Sequence, residues 1–263
     1  MRSEILDCPV DILSRGETLA LAVEAMRTRV QCQHVALNVA KLVKARSDAE
    51  LDRDVRQADI IGIDGAGIVL ALRLLGKGAA PRYPGVDLFE DLMAMCAIEG
   101  FRPYILGAEP NVLETAIVRL RERNPGLTFA GWHHGYFKDN EDAVIADIKS
   151  VNPDCLFLAM PTPAKERFMA RWKGELGVPF VMGVGGSVDV VAGKVSRAPQ
   201  IWQSLGMEWL YRVVQEPRRM WRRYLVTNSQ FAWLLLKAVA ARPLARKPAA
   251  KAATSAAAAP QRR

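Results

Sequence analysis

A carboxylate at the end of an apolar run, with glycines directly behind it, is the first pattern in this chain that could do chemistry. The segment ADIIGIDGAGIV, residues 58–69, puts Asp64 in that place, followed by Gly65 and Gly67. An acid so placed projects into the ligand crevice of a parallel sheet, and the glycines let a backbone come close. Such a carboxylate can act as general base toward a hydroxyl group. It can equally cap the helix that follows, which is the commoner role of Asp after a strand, and residue type alone favours the cap.

A second pattern is GVGGSVDVVAGKVSRAP, residues 183–199, with Gly185, Gly186, Ser187 and Asp189 after a strand end and Arg197 further on. A glycine-rich turn entering a helix can present backbone N–H groups to a diphosphate. Asp189 suits either a ribose or base contact or a helix cap. Neither this turn nor GIDGAG has the G-x-G-x-x-G spacing, which argues against a dinucleotide-binding dehydrogenase. There is no G-x-S-x-G elbow and no P-loop lysine, so the common hydrolase and NTPase readings fall away. The histidines are His34, His133 and His134. The adjacent pair follows an expected strand, where a site role is open to it, but neighbours in sequence seldom chelate one metal, and no CxxC or acid cluster completes a ligand set. No metal is expected.

The elements that must position these groups are readable from periodicity. Short apolar runs at 33–39, 58–64, 103–107, 127–131, 155–160 and 179–184 read as strands covered on both faces. Between them, 87–99, 110–123 and 140–150 read as amphipathic helices. Strand and helix in alternation predict an α/β fold, a Rossmann-like, mostly parallel sheet wrapped by helices.

The pattern changes after residue 205. The stretch 206–239 reads as two helices broken at Glu216-Pro217, since proline disfavours helical geometry in the residue before it. In the second, Trp221, Tyr224, Leu225, Ala232, Leu235 and Val239 follow helical spacing, while Arg218, Arg219, Arg222 and Arg223 project largely from the opposite side. Such a helix suits a membrane interface, or alternatively packs on the core with a solvated basic face. Beyond residue 241 an Ala/Pro/Lys-rich tail, 242–263, lacks the apolar variety to pack and is expected to be disordered. Three regions follow: an α/β catalytic domain over 1–205, a basic amphipathic appendage over 206–241, and the tail.

Charge follows the same division. The chain of 263 residues carries a net charge of +8. Six Lys or Arg and no acid lie after residue 241, five Arg face two Glu between 206 and 224, and Lys237 adds one more, so the first 205 residues hold two more acids than bases. A basic end on a mildly acidic body points to an anionic surface, either nucleic acid or the inner leaflet of a membrane. Nothing in the body supplies a reading helix or aromatic platform, so a nucleic-acid-binding protein using the arginine-rich C-terminus ranks below the membrane reading. Cys8, Cys32, Cys96 and Cys155 have no paired spacing, which fits a reducing cytoplasm without structural disulfides. No signal peptide and no spanning helix are read from the sequence.

Taken together, these segments resemble the WecG/TagA/CpsF glycosyltransferase family. The resemblance runs from about residue 38 to 223, through DGAGIV (64–69), RYPGVDL (82–88), ILGAEP (105–110), NPGLTFAG (124–131), HGYF (134–137), GVGGSVDVVAG (183–193), RAP (197–199) and GMEWLYRVVQEPRR (206–219). It implies an inverting, metal-independent transferase without a cofactor. The donor would be a UDP-sugar, the acceptor a saccharide on a polyprenyl diphosphate, and the location the cytoplasmic face of the cytoplasmic membrane. A homo-oligomer is compatible with it. By this resemblance Asp64 is the base for the acceptor hydroxyl, Asn38 its pocket neighbour, and Arg82 the cation that stabilises the departing diphosphate. Gly65, Gly107, His134, Pro163, Lys165, Glu166, Gly185, Gly186, Asp189 and Arg197 line the substrate pocket. Arg212, Arg218, Arg219, Arg222 and Arg223 belong to an appendage that meets the membrane and helps complete the site. Two positions depart from the family pattern, Lys165 where Gln is usual and Ala36 where Thr is frequent. They leave the donor sugar open among N-acetylmannosamine, its uronic acid and glucose.

Overall fold

Residues 1–241 are described in a computed structural model. The tail expected to be disordered, 242–263, lies outside the described residues. The chain opens with a hairpin, β1 (Arg2–Ile5) and β2 (Cys8–Asp11), and continues into α1 (Arg15–Thr28), which starts at a reciprocal capping box between Ser14 and Glu17. There follow β3 (Cys32–Leu37), α2 (Val39–Ala45), α3 (Ala49–Arg56), β4 (Ile60–Ile63), α4 (Ala66–Leu74) and α5 (Gly85–Glu99). The second half holds β5 (Pro103–Gly107), α6 (Pro110–Arg123), β6 (Gly131–His133), α7 (Glu141–Val151), β7 (Cys155–Ala159), α8 (Ala164–Arg171), β8 (Phe180–Gly183) and α9 (Ser187–Val191). Helices α10 (Gln200–Ser204), α11 (Glu208–Gln215) and α12 (Pro217–Ala240) close the described chain.

Strands β3 to β8 form one parallel six-stranded sheet in the order β4-β3-β8-β7-β5-β6. Its alternating side chains feed two apolar layers. Val35, Leu37, Ile61, Ile63, Leu156 and Leu158 pack on one side with α2, α3, α4, α7 and α8. Ile105, Phe157, Phe180 and Met182 pack on the other with α1, α5, α6 and α9. The α/β architecture expected from the sequence is therefore present.

The connection after β3 runs to α2 on the first face, and that after β8 runs to α9 on the second. Adjacent strands whose connections leave in opposite directions open a crevice at their C-terminal ends, and this is where ligands bind in such sheets. Asn38 and Gly185 flank that crevice.

Two expectations need correction. The run at 127–131 is not a strand: only Gly131–His133 pairs with β5, while Leu127 and Phe129 are apolar because they fill the layer beneath α6. His133 therefore ends a strand rather than lying in the loop. On α12 the apolar stripe read from spacing is buried at Leu235 but not along its length. Met220, Phe231 and Leu235 are buried, whereas Trp221, Leu225 and Val239 are exposed.

Candidate active site

Asn38 follows β3 and caps α2, its Oδ1 accepting the Lys41 N–H at 3.0 Å. That bond fixes the amide, so its Nδ2 must point away from the helix, and it donates to Asp64 Oδ2 at 3.1 Å. The other carboxylate oxygen, Oδ1, accepts the Gly85 N–H at the start of α5 at 2.8 Å. Asp64 does not cap the helix that follows it: α4 is preceded by Gly65 and has no side-chain cap. The glycines there serve close packing, since a Cβ on Gly65 would lie 3.2 Å from Asn38 Cβ and one on Gly67 2.5 Å from Val39 Cγ2. Both carboxylate oxygens are thus held by donors, and each keeps a further lone pair that can accept a proton.

Arg82 reaches the same place from the loop before α5. Its Nε donates to the Asp64 carbonyl at 2.8 Å, Nη1 to the Gln203 carbonyl at 3.3 Å, and Nη2 to the Glu208 carboxylate on α11. The guanidinium therefore bridges the strand end to the C-terminal helices, with its charge paired by Glu208. Gly206, just before α11, sits against the start of α4, where its Cβ would lie 2.6 Å from Ala66 Cβ. Arg197 is turned toward α5, pairing with Asp87 and donating to Gln203 Oε1 at 3.2 Å.

Across the crevice, the turn after β8 is tied down by Val184 N–H and Gly185 N–H, both donating to the Leu158 carbonyl at 3.0 and 3.1 Å. Gly185 has φ +52°, a conformation that favours glycine. Gly186 opens α9, with Asp189 Oδ2 and Arg212 Nη1 3.6 and 3.7 Å from where its Cβ would be. Under this turn lies a buried group of charges. Lys41 Nζ and Glu166 Oε1 are 2.8 Å apart with side chains 4% and 1% exposed. Lys165 Nζ lies 3.5 Å from the same carboxylate oxygen and donates to Thr162 Oγ1 at 2.9 Å. Its stem fills the space a Gly183 side chain would take, and Nζ stands 3.5 Å from a Cβ on Gly185. Burial and the neighbouring Lys41 charge hold the Lys165 ammonium down to about 8. Glu166 is pushed up by burial but held below the usual carboxylate range by the two lysines. Pro163 precedes α8 and sets the start of this helix.

Asn38, Asp64 and Arg82 are thus brought into direct contact, and Lys165, Glu166, Gly185, Gly186, Asp189 and Arg212 stand around the neighbouring turn. His134 is not part of this group. It follows the edge strand β6, five strand positions from β4, roughly 24 Å across a sheet with ordinary strand spacing, and its Nδ1 accepts the Tyr136 N–H at 3.2 Å. Gly107 has a packing reason of its own: at φ +122° its Cβ would lie 2.5 Å from the Ala159 carbonyl oxygen of β7. Arg218, Arg222 and Arg223 are exposed on α12, and the side chain of Arg219 lies outside the described residues. Sequence reasoning missed Lys41, Gln203, Glu208 and Gly85, whose partners at the site lie far away in the chain, and Thr162, whose hydroxyl meets Lys165 and Glu166 on the next helical turn. Among the described residues, no group of three His, Cys, Asp or Glu side chains is placed to hold a metal ion.

The model of the Glycosyl transferase WecG/TagA/CpsF family matches residues 3–244. Proteins of Staphylococcus aureus strains MW2, NCTC 8325 / PS 47 and COL, each described as N-acetylglucosaminyldiphosphoundecaprenol N-acetyl-beta-D-mannosaminyltransferase, are 34% identical to this chain over 168 residues. The matched segment covers 64% of this chain and spans 66% of the length of those relatives.

Proposed function

The chain belongs to the WecG/TagA/CpsF glycosyltransferase family, and from that premise we propose that it transfers a hexose-type sugar from a UDP-sugar to a saccharide on a polyprenyl diphosphate, in exopolysaccharide or other cell-envelope polysaccharide synthesis. The observation that carries this reading is the Asp64 carboxylate, gripped by Asn38 Nδ2 and the Gly85 N–H at the C-terminal edge of the sheet. A carboxylate held there can take the proton from an acceptor hydroxyl as its oxygen bonds to the anomeric carbon and the bond to UDP breaks on the opposite face. Inversion follows from that single displacement. The charge that develops on departing UDP needs fixed donors and cations, and the β8 turn, Lys165 and Arg82 lie within this region. The relatives' names specify a GlcNAc-diphosphoundecaprenol acceptor and an N-acetylmannosaminyl group. For this chain the donor stays among N-acetylmannosamine, its uronic acid and glucose.

The place of action that fits is the anionic cytoplasmic face of the membrane. No helix among the described residues is long and apolar enough to cross a membrane. Instead, α11 and α12 expose Trp209, Trp221, Leu225, Trp233 and Leu236 beside Arg222 and Arg223. Aromatic and aliphatic side chains next to arginines are what an interfacial helix presents to headgroups.

Asp64→Asn is expected to lower turnover by about 10²–10⁴-fold, the usual worth of a general base, with UDP affinity by calorimetry within about threefold of wild type. Undiminished turnover in that variant would remove Asp64 from the role of base.

A further inference from the structure

Lys41, Lys165 and Glu166 form a buried cluster in which two ammonium groups share one carboxylate. Lys41 takes the closer contact, at 2.8 Å, and both members of that pair are enclosed. Lys165 is left 3.5 Å from an oxygen already engaged, and its ammonium donates to the Thr162 hydroxyl at 2.9 Å. Uncompensated buried charge is costly, and removing one lysine would relieve the cost while leaving the Lys41–Glu166 pair whole. Lys44 Nζ also stands at this cluster, donating to the Thr162 carbonyl at 3.4 Å, and adds a further positive charge. Asp64, from the end of β4, acts through space, and its oxygens are held by Asn38 and Gly85. His34 on β3 is kept neutral by burial, its ionisation pushed down to about 4. The Lys165 stem occupies the place of a Gly183 side chain and carries Nζ to the turn at Gly185, where the missing side chain leaves Nζ 3.5 Å from the Cβ position.

We propose that Lys165 is a donor-binding residue whose ammonium meets an anionic oxygen of the nucleotide-sugar at the β8 turn. The inference rests on the reading of this crevice as a nucleotide-sugar site. The oxygen can come from the diphosphate, common to every UDP-sugar, or from a carboxylate on the sugar itself. In either case the ligand supplies the second negative charge that the cluster lacks, and charge-assisted bonds of this kind are the strong ones. Because bound anion favours the charged lysine, binding near pH 8.5 should draw a proton onto Nζ.

The test is calorimetric titration of wild type, Lys165→Gln and Lys165→Met with UDP, UDP-glucose and UDP-glucuronic acid, in two buffers of different ionisation heat. Wild type is expected to take up a proton on binding at pH 8.5, and both variants to lose that uptake and about tenfold or more in affinity. Equal loss for all three ligands assigns the contact to the diphosphate. Loss confined to UDP-glucuronic acid assigns it to the sugar carboxylate. Both unliganded variants should unfold at the same or a higher temperature than wild type, since they shed a buried like charge. Variants that bind every ligand as wild type does, with the same proton uptake, overturn the proposal while leaving the nucleotide-sugar reading intact. A folded wild type that binds none of the three overturns that reading and the proposal together.

Discussion

Asp64 draws its character from two neighbours that no local pattern announces. Asn38 presents its Nδ2 only because Lys41 N–H occupies its Oδ1, and Gly85 N–H arrives from the first residue of α5, 21 residues downstream. The sequence showed an acid after a strand, and the cap it was expected to form is absent. The glycines around it were legible as close approaches, and the structure supplies the surfaces they approach. His34 shows what spacing alone could not. It lies fully inside the sheet, with Nδ1 buried and unpartnered, and burial with the nearby Lys41 charge pushes its ionisation down to about 4. The unfolded chain takes up this proton near pH 6.5, whereas the folded chain waits until about pH 4. Stability is therefore expected to fall as pH drops through that window, by an amount on the order of a few kcal/mol. His34→Gln should flatten the dependence between pH 7 and 5 in urea unfolding, and an unchanged slope would assign the titration elsewhere.

At the scale of elements, the strands were the most legible because burial on both faces leaves an unbroken apolar run. The expected and observed ends of the strand at 103–107 coincide. Where apolarity had another cause, as at Leu127 and Phe129, the reading misplaced the strand. The N-terminal hairpin left no signature, because Leu6 and Asp7 take positive φ without the Asn-Gly pair that usually marks such a turn. Helix α12 was recognised, and the break at Pro217 with it, but the face it buries was not. Spacing grouped Trp221 and Leu225 with Leu235, whereas the structure leaves the first two 54% and 60% exposed and Leu235 at 8%. This division predicts separable effects. Exchanging Trp221, Leu225 and Trp233 for Ala should change stability by about 0.5 kcal/mol or less per site and markedly reduce cosedimentation with anionic liposomes. Retained liposome binding would return this face to an ordinary solvated surface.

Over the whole molecule, the C-terminal helices and the sheet share one interior. Phe231 and Leu235 belong to the same apolar layer as α2 and α4, and Phe231 Cε1 stands 3.7 Å from where a Gly67 side chain would begin. The charge asymmetry that set residues 206 onward apart was legible in composition. The packing that joins them to the crevice was not, since it rests on Phe231, Gly206 and the Arg82–Glu208 pair. Phe231→Ala is expected to cost about 3–5 kcal/mol and to reduce turnover, because it loosens α12 against the helices that start beside Asn38 and Asp64. Global stability near wild type in that variant would show that α12 contributes little to the fold.

The hairpin β1–β2 also governs what the molecule does in company. Strand β4 ends the sheet, and an open strand edge is a template on which another chain can pair. Here the Asp11 carboxylate takes the Ile61 N–H at 2.8 Å, and Arg2 clasps that carboxylate while donating to the Asp59 carbonyl at 2.9 Å. Burial pushes the Asp11 carboxyl up, but Arg2 and the Ile61 N–H outweigh it and hold it below the ordinary value. The guard therefore stays charged at pH values where an ordinary aspartate begins to protonate, and the outermost strand keeps its ionic cover there.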